Sequence, residues 1–175
     1  VASYYAEKRP FFLEWDEYFD PPLRVVHTRP IADPEGGLKV VGKAGGASVG
    51  ALLVQDAITN VTVPGSQSSD TLSLPTRSWG GVTRWRQDVG ASSALGLLLT
   101  GRASGDGYAN GVFGGDGLVR LSDADQVRIQ ALGSATTYES PAAQAAGLPS
   151  GTLLGHAIQA DYAHVGTEWA WDAAY

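Results

Sequence analysis

The stretch TLLGHAIQADYAHV, residues 152–165, followed by GTEWAWDAAY, residues 166–175, decides the fold. Consecutive side chains of an extended strand point to opposite sides of the sheet. Leu154, His156, Ile158, Ala160, Tyr162 and His164 therefore share one face, while Gly155, Ala157, Gln159, Asp161 and Ala163 share the other. The first set is apolar or aromatic and the second small or polar. The terminal segment divides in the same way, with Trp169, Trp171 and Tyr175 on one parity and Glu168 and Asp172 on the other. No helical stripe with a 3.6-residue period and useful length competes with this reading.

The pattern extends towards the N-terminus. Trp79 and Trp85 fall on one parity of their segment and Arg84 and Arg86 on the other, and Val127 and Ile129 alternate with Arg128 and Gln130. Short apolar runs separated by turn residues predict nine strands: 23–29, 37–43, 47–56, 78–88, 92–102, 112–122, 126–136, 152–165 and 167–175. The separators Asp33-Pro34-Glu35-Gly36, Gly45-Gly46, Val89-Gly90 and Val165-Gly166 suit tight hairpins. Segments 57–77 and 137–151 are longer, rich in Ser, Pro, Gln and Ala, and read as irregular excursions. Residues 1–22 form an aromatic and acidic lead-in that ends at Pro21-Pro22, and residues 23–175 form one antiparallel β domain.

Composition agrees with this organisation and removes several function classes. The chain has 175 residues, 23 of them glycine, with 17% charged residues and no cysteine. Disulfides, thiolate metal sites and cysteine nucleophiles are thereby excluded. A net charge of -6 without a basic stripe argues against nucleic-acid binding, which draws its affinity from clustered Lys and Arg. No run approaches the roughly 20 apolar residues of a membrane-spanning helix. The chain opens at Val1 with no basic and then apolar leader, and so reads as processed or as part of something longer.

Two all-β architectures fit this alternation. In an up-and-down outer-membrane-type barrel, or an open portion of one, the apolar parity faces lipid; in a soluble β-sandwich, which would be a binding or interaction subunit of a larger assembly, it faces a dry core between two sheets. Several predicted strands reach the roughly 9–11 residues of a tilted bilayer crossing, whereas soluble strands average about 5–6. Trp79, Trp169, Trp171 and Tyr175 lie near strand ends, where an interfacial aromatic girdle is expected. Arg84, Arg86, Asp161 and Glu168 are the candidate lining of a polar interior.

Residues 7–56 carry a family resemblance. Arg9-Pro10-Phe11-Phe12-Leu13-Glu14, then Thr28-Arg29-Pro30-Ile31, then Gly42-Lys43 resemble the opening of the barrel in a family of uncharacterised bacterial outer-membrane proteins. Members of that family carry an N-terminal module similar to family-nine carbohydrate-binding domains. Leu95-Gly96-Leu97 and Phe113-Gly114-Gly115-Asp116 also look like the family's following strands. The chain departs from the pattern at Pro30, where a second arginine is usual, and at Trp15, where glycine is typical. The resemblance implies an outer-membrane or cell-envelope location, a structural or solute- and glycan-handling role, and Arg9, Pro10, Phe11, Phe12, Glu14 and Arg29 as a structural entry motif. It also implies a barrel longer than this chain, so that the open sheet edges are covered by its further strands in the membrane or by a partner subunit.

Catalytic signals are weak. Glu14, Asp16, Glu17 and Asp20 are the densest carboxylate cluster, and paired carboxylates perform glycosidic acid-base chemistry, so a carbohydrate-active hydrolase is the third reading. The simpler reading of that cluster, ion pairing with Arg9 and Arg24, is preferred. His156 and His164 share a parity but stand eight residues, about 27 Å, apart along a strand. No Gly-x-Ser-x-Gly elbow, Walker loop or dinucleotide fingerprint occurs. No cofactor is expected, and the favoured function is non-enzymatic.

Overall fold

The computed structural model describes residues 23, 25–26, 31–64, 69–139, 141, 144, 147–148 and 150–175. The motif residues Arg9, Pro10, Phe11, Phe12, Glu14 and Arg29, and the carboxylates Asp16, Glu17 and Asp20, lie outside them. The described residues form ten strands: β1 (Pro34–Ala44), β2 (Ala47–Asp56), β3 (Thr59–Pro64), β4 (Ser69–Leu74), β5 (Ser78–Val89), β6 (Ser93–Ser104), β7 (Tyr108–Arg120), β8 (Asp125–Tyr138), β9 (Thr152–Val165) and β10 (Ala170–Ala174). Eight of them pair as an antiparallel meander in the order β1-β2-β5-β6-β7-β8-β9-β10, and β3 pairs with β4 in a separate hairpin. The fold is all-β and antiparallel. The main sheet is open, with β1 and β10 as its edges.

The strand boundaries depart most from the sequence reading at three places. Leu23, Val25 and Val26, expected in a first strand, carry no ladder pairing. The 57–77 excursion contains the β3–β4 hairpin, whose Val61 and Leu74 are buried with Tyr108 and Tyr138, far away in sequence. β7 begins at Tyr108, because the three residues Gly105 to Gly107 suffice to reverse the chain after Ser104.

Local chemistry explains the turns. Ala44 pairs with Ala47 across Gly45 and Gly46, which hold φ values of 58° and 77°. Positive φ at both central residues is the requirement of the two-residue type I′ hairpin, which glycine meets without steric cost. At this end of the sheet the connections are short, and the long 139–151 connection and the β3–β4 excursion lie at the other.

The register adds a slant. Following ladder rows from the β1–β2 turn, the last pairs are Ala44↔Ala47, Val89↔Ser93, Arg120↔Gln126 and Val165↔Ala170. Because Ala47 faces Gln87, Ala94 faces Leu118 and Gln126 faces Ala163, each hairpin runs one or two residues beyond its predecessor. The rim drops by about 17 Å over about 29 Å of sheet width, a slant of roughly 30° at ordinary strand spacings. Barrel strands typically tilt by roughly 35–45°.

The two faces differ in kind. One parity, called inner here, holds every fully covered residue of the main sheet, among them Leu52, Val54, Val82, Leu98, Arg84 and Gln130. Val25, Val26 and Ile31 cover part of it by packing on Leu52, Val54, Val82 and Leu98. The opposite, outer parity leaves Leu38, Val40, Leu53, Leu95, Leu97, Leu99, Phe113, Ile129 and Ile158 exposed.

Candidate functional site

The inner face is built around two ion pairs. Arg84 on β5 and Asp116 on β7 are not ladder neighbours, because β6 runs between them. They meet over Gly96: a Cβ there would lie 2.5–2.8 Å from the Arg84 guanidinium, so a side chain at this point would occupy the arginine's place. The contact is bidentate, Nη1 to Oδ1 and Nη2 to Oδ2 (the latter 2.7 Å), the geometry in which guanidinium and carboxylate bind most strongly. Arg84 is only 5% exposed.

Arg102 on β6 forms the second pair. Its Nη2 donates to Asp56 Oδ2 at 2.8 Å and to the Ile58 carbonyl at 3.0 Å, and its Nε donates to Ser78 Oγ at 3.0 Å. The buried Asp56 carboxylate also accepts the backbone N–H groups of Ala32 at 3.1 Å and Asp33 at 2.7 Å. Arg102 thus ties the β2 end to the following connection, while Asp56 anchors the chain entering β1. A carboxylate at 2% exposure is tolerable because it is paired and hydrogen-bonded.

A third cluster sits on the outer parity at the short-turn rim. Asp125, the first residue of β8, accepts from Ser122 Oγ at 2.5 Å and Tyr162 Oη at 2.5 Å, and its Oδ1 lies 2.7 Å from His164 Nδ1. Trp171 on β10 packs beside Tyr162 and His164, with ring centroids 4.9 and 6.3 Å away. The Ser122 proton goes to the carboxylate, so this Ser, His and Asp do not form a nucleophilic relay, in which the serine donates to the imidazole.

The hydrogen bonds from Ser122, then Tyr162, then His164 hold the Asp125 carboxyl well below the usual carboxylate range. A depressed folded-state pKa gives stability that is present above the unfolded pKa, about 3.9 for Asp, and lost as pH falls below it. Unfolding midpoints measured from pH 6 to pH 2 should therefore fall less in Asp125→Asn than in the parent chain. An identical pH profile in the two chains would show that the rim hydrogen bonds do not contribute.

The sequence-predicted residues distribute as follows. Arg84, Arg86 and Asp161 all lie on the inner parity. Arg86 is half exposed, 3.6 Å from Asp88, and Asp161 accepts from Gln159 and faces Arg128 across the ladder. Glu168 stands apart, exposed in the β9–β10 turn that the Gly166 N–H closes on the Trp169 carbonyl at 2.8 Å. Trp79 is exposed on the outer parity at the long-loop end; Trp171 and Tyr175 share that parity at β10, and Trp169 is exposed in the preceding turn. Asp56, Arg102, Asp116, Gln130 and Asp125 are the site residues that sequence reasoning missed. Gly96 was the legible trace of the Arg84–Asp116 pair alone, a small residue on the inner parity between Leu95 and Leu97.

Among the described residues no group of three or more His, Cys, Asp or Glu converges as a metal site, and no helix is long and apolar enough to cross a membrane. Comparisons with protein-family models, curated proteins and solved structures found no match.

Proposed function

We propose that this chain is a non-enzymatic portion of an outer-membrane-type β-barrel in the cell envelope, with its outer face against lipid and its inner face lining a polar interior that handles solutes or glycans. One observation carries the reading. Between the two rims of the main sheet, every Lys, Arg, Asp and Glu side chain lies on the inner parity: Lys39, Lys43, Asp56, Arg84, Arg86, Asp88, Arg102, Asp116, Arg120, Arg128, Asp161 and Asp172. The exceptions, Glu35 and Asp125, stand at strand starts.

A soluble sandwich turns its apolar parity towards the second sheet. Here the parity that the chain itself covers is the charged one. The second sheet, β3–β4, packs on Tyr108 and Tyr138 at the long-loop end, and among the described residues the apolar face stays exposed. The roughly 30° slant and the Trp and Tyr residues near both rims support the same reading.

Detergent dependence tests it. The purified chain should require detergent or lipid to stay monodisperse, and in vesicles its tryptophan emission should be quenched by brominated acyl chains. A folded, monodisperse chain in plain buffer would refute the lipid-facing assignment and restore the sandwich or soluble-subunit reading.

A further inference from the structure

Three strands meet at one imidazole near the short-turn rim. His164, close to the end of β9, stands opposite Asp125 of β8 on one side and Trp171 of β10 on the other. Its Nδ1 lies 2.7 Å from Asp125 Oδ1, and its ring stacks on the Trp171 indole at 25° with centroids 6.3 Å apart. An ionised carboxylate only accepts, so Nδ1 carries a proton whether the ring is neutral or charged. A side chain at Gly166 would stand 3.0 Å from Nε2, so the β9–β10 turn closes over the far edge of the ring.

The polar surroundings of the ring come from each element packed on it. Tyr162, on the same parity of β9, donates to the same Asp125 oxygen at 2.5 Å, and Ser122 in the β7–β8 turn donates to the other at 2.5 Å. Asp123 and Glu168, in the turns on either side, are exposed, and Asp172 of β10 lies on the opposite, inner parity. Among the described residues Asp125 is the carboxylate that His164 pairs with.

The strand that carries Trp171 is short. β10 pairs with β9 over Ala170–Ala174, and Tyr175 exchanges N–H···O bonds with Ala160 at 2.9 and 3.0 Å. β8, by contrast, pairs with β9 from Asp125 to Thr137. Short edge ladders lie at the low-stability end of a fold, so the packing of Trp171 on Tyr162 and His164 weighs heavily in holding β10. A proton added to His164 strengthens that hold twice. The bond to Asp125 becomes charge-assisted, which roughly doubles its strength, and a cation now faces the indole. With side chains 28% and 26% exposed, His164 and Asp125 keep part of this gain and lose part to solvent screening.

We propose that His164 is a proton-operated latch: its imidazolium, held between Asp125 and Trp171, keeps β10 on the sheet, and loss of the proton loosens β10 and uncovers the β9 edge. Ala160 turns its N–H and C=O towards Tyr175, and by the alternation of an antiparallel ladder Tyr162 and His164 turn theirs the same way. The charge on one ring thus sets whether these groups are satisfied by β10 or offered to another strand. The latch does not depend on which solvent the outer face meets.

Hydrogen exchange read by mass spectrometry tests it, on the detergent-solubilised full chain at about pH 5.5 and about pH 8, either side of the ordinary histidine range. After correction for intrinsic exchange, protection of residues 167–175 should be roughly three- to fivefold lower at the higher pH, the difference between a charge-assisted and a neutral hydrogen bond after screening. Protection of β6 should not change. His164→Gln keeps a donor towards Asp125 but takes up no proton, and it should remove the pH dependence. Asp125→Asn should remove most of it. In the parent chain the Trp171 indole N–H resonance should titrate together with the His164 ring.

Equal protection of residues 167–175 at both pH values in the parent chain would overturn the latch. So would a pH dependence that survives in His164→Gln, since another group would then be responsible. Should neither variant fold, the parent resonances decide alone, and separate midpoints for His164 and Trp171 reject the proposal. Failure of the lipid assignment would appear elsewhere, as monodispersity without detergent, and would leave the latch standing.

Discussion

Leu97→Arg is expected to destabilise the chain by about 2–4 kcal/mol in a lipid bilayer, the cost of a charged side chain on the lipid face near the midplane. Leu97 lies near the middle of β6, between Leu95 and Leu99 on the same parity, with Trp85 and Gly115 as cross-strand neighbours. It is 57% exposed. In water a half-exposed leucine on an open face is an ordinary surface position, where substitutions usually fall within about 0.5 kcal/mol. The two environments thus predict different magnitudes for one substitution. Leu98→Arg does not serve as a control, because Leu98 is buried on the inner parity. Thr100→Arg, on the half-buried inner side, should cost less than Leu97→Arg if that side is wet. Reversible urea unfolding from vesicles supplies the measurement, and a Leu97→Arg cost below about 0.5 kcal/mol would remove lipid from the outer face.

Which parts of this arrangement could be read from the sequence follows from where the interactions lie. β9 and β10 were legible because Trp171 and Tyr162 alternate with Asp172 and Asp161, and period-2 alternation is a local property. The inner location of Arg84 and Arg86 followed from the same parity. Residues 23–29 were read as a strand because Val25 and Val26 are apolar, yet the backbone of Leu23 is satisfied by the side chain of Gln130, 107 residues away. No local pattern carries that information. Gly114-Gly115-Asp116-Gly117 fall within the predicted strand 112–122 and stand inside the β6–β7 ladder, opposite Leu98, Leu97, Gly96 and Leu95. Glycine there admits large neighbours: a Cβ at Gly114 would overlap Leu132. The β3–β4 hairpin was missed because Val61 and Leu74 find their apolar partners in Tyr108 and Tyr138. The Asp125 cluster joins residues 37 and 39 positions apart. Alternation reveals which face a side chain takes. Register decides whom it meets, and register is a long-range quantity.

Arg84→Ala should be among the most damaging single substitutions on the inner face, costing roughly 3 kcal/mol, the lower end of the range for breaking a buried ion pair. The reason is asymmetric. The pair itself adds little net stability, since desolvating two ions offsets most of their attraction, but removing one partner strands the other. Asp116, at 17% side-chain exposure, keeps some access to water, which places the cost low in the range. Arg84→Met combined with Asp116→Leu removes both charges and should recover most of the loss, because apolar replacements of similar volume are often neutral or stabilising at such sites. The coupling between the two substitutions then measures the interaction directly. Gly96→Ala is an independent probe, since its methyl group meets the guanidinium and should displace Arg84 while leaving both charges present. If Arg84→Ala and the double variant were equally destabilised, packing rather than the stranded carboxylate would be responsible. If both cost less than about 1 kcal/mol, the pair would behave as a surface ion pair in open water. A covered Arg84–Asp116 pair requires the large single cost and its recovery together, and that combination separates it from an ion pair exposed to open water.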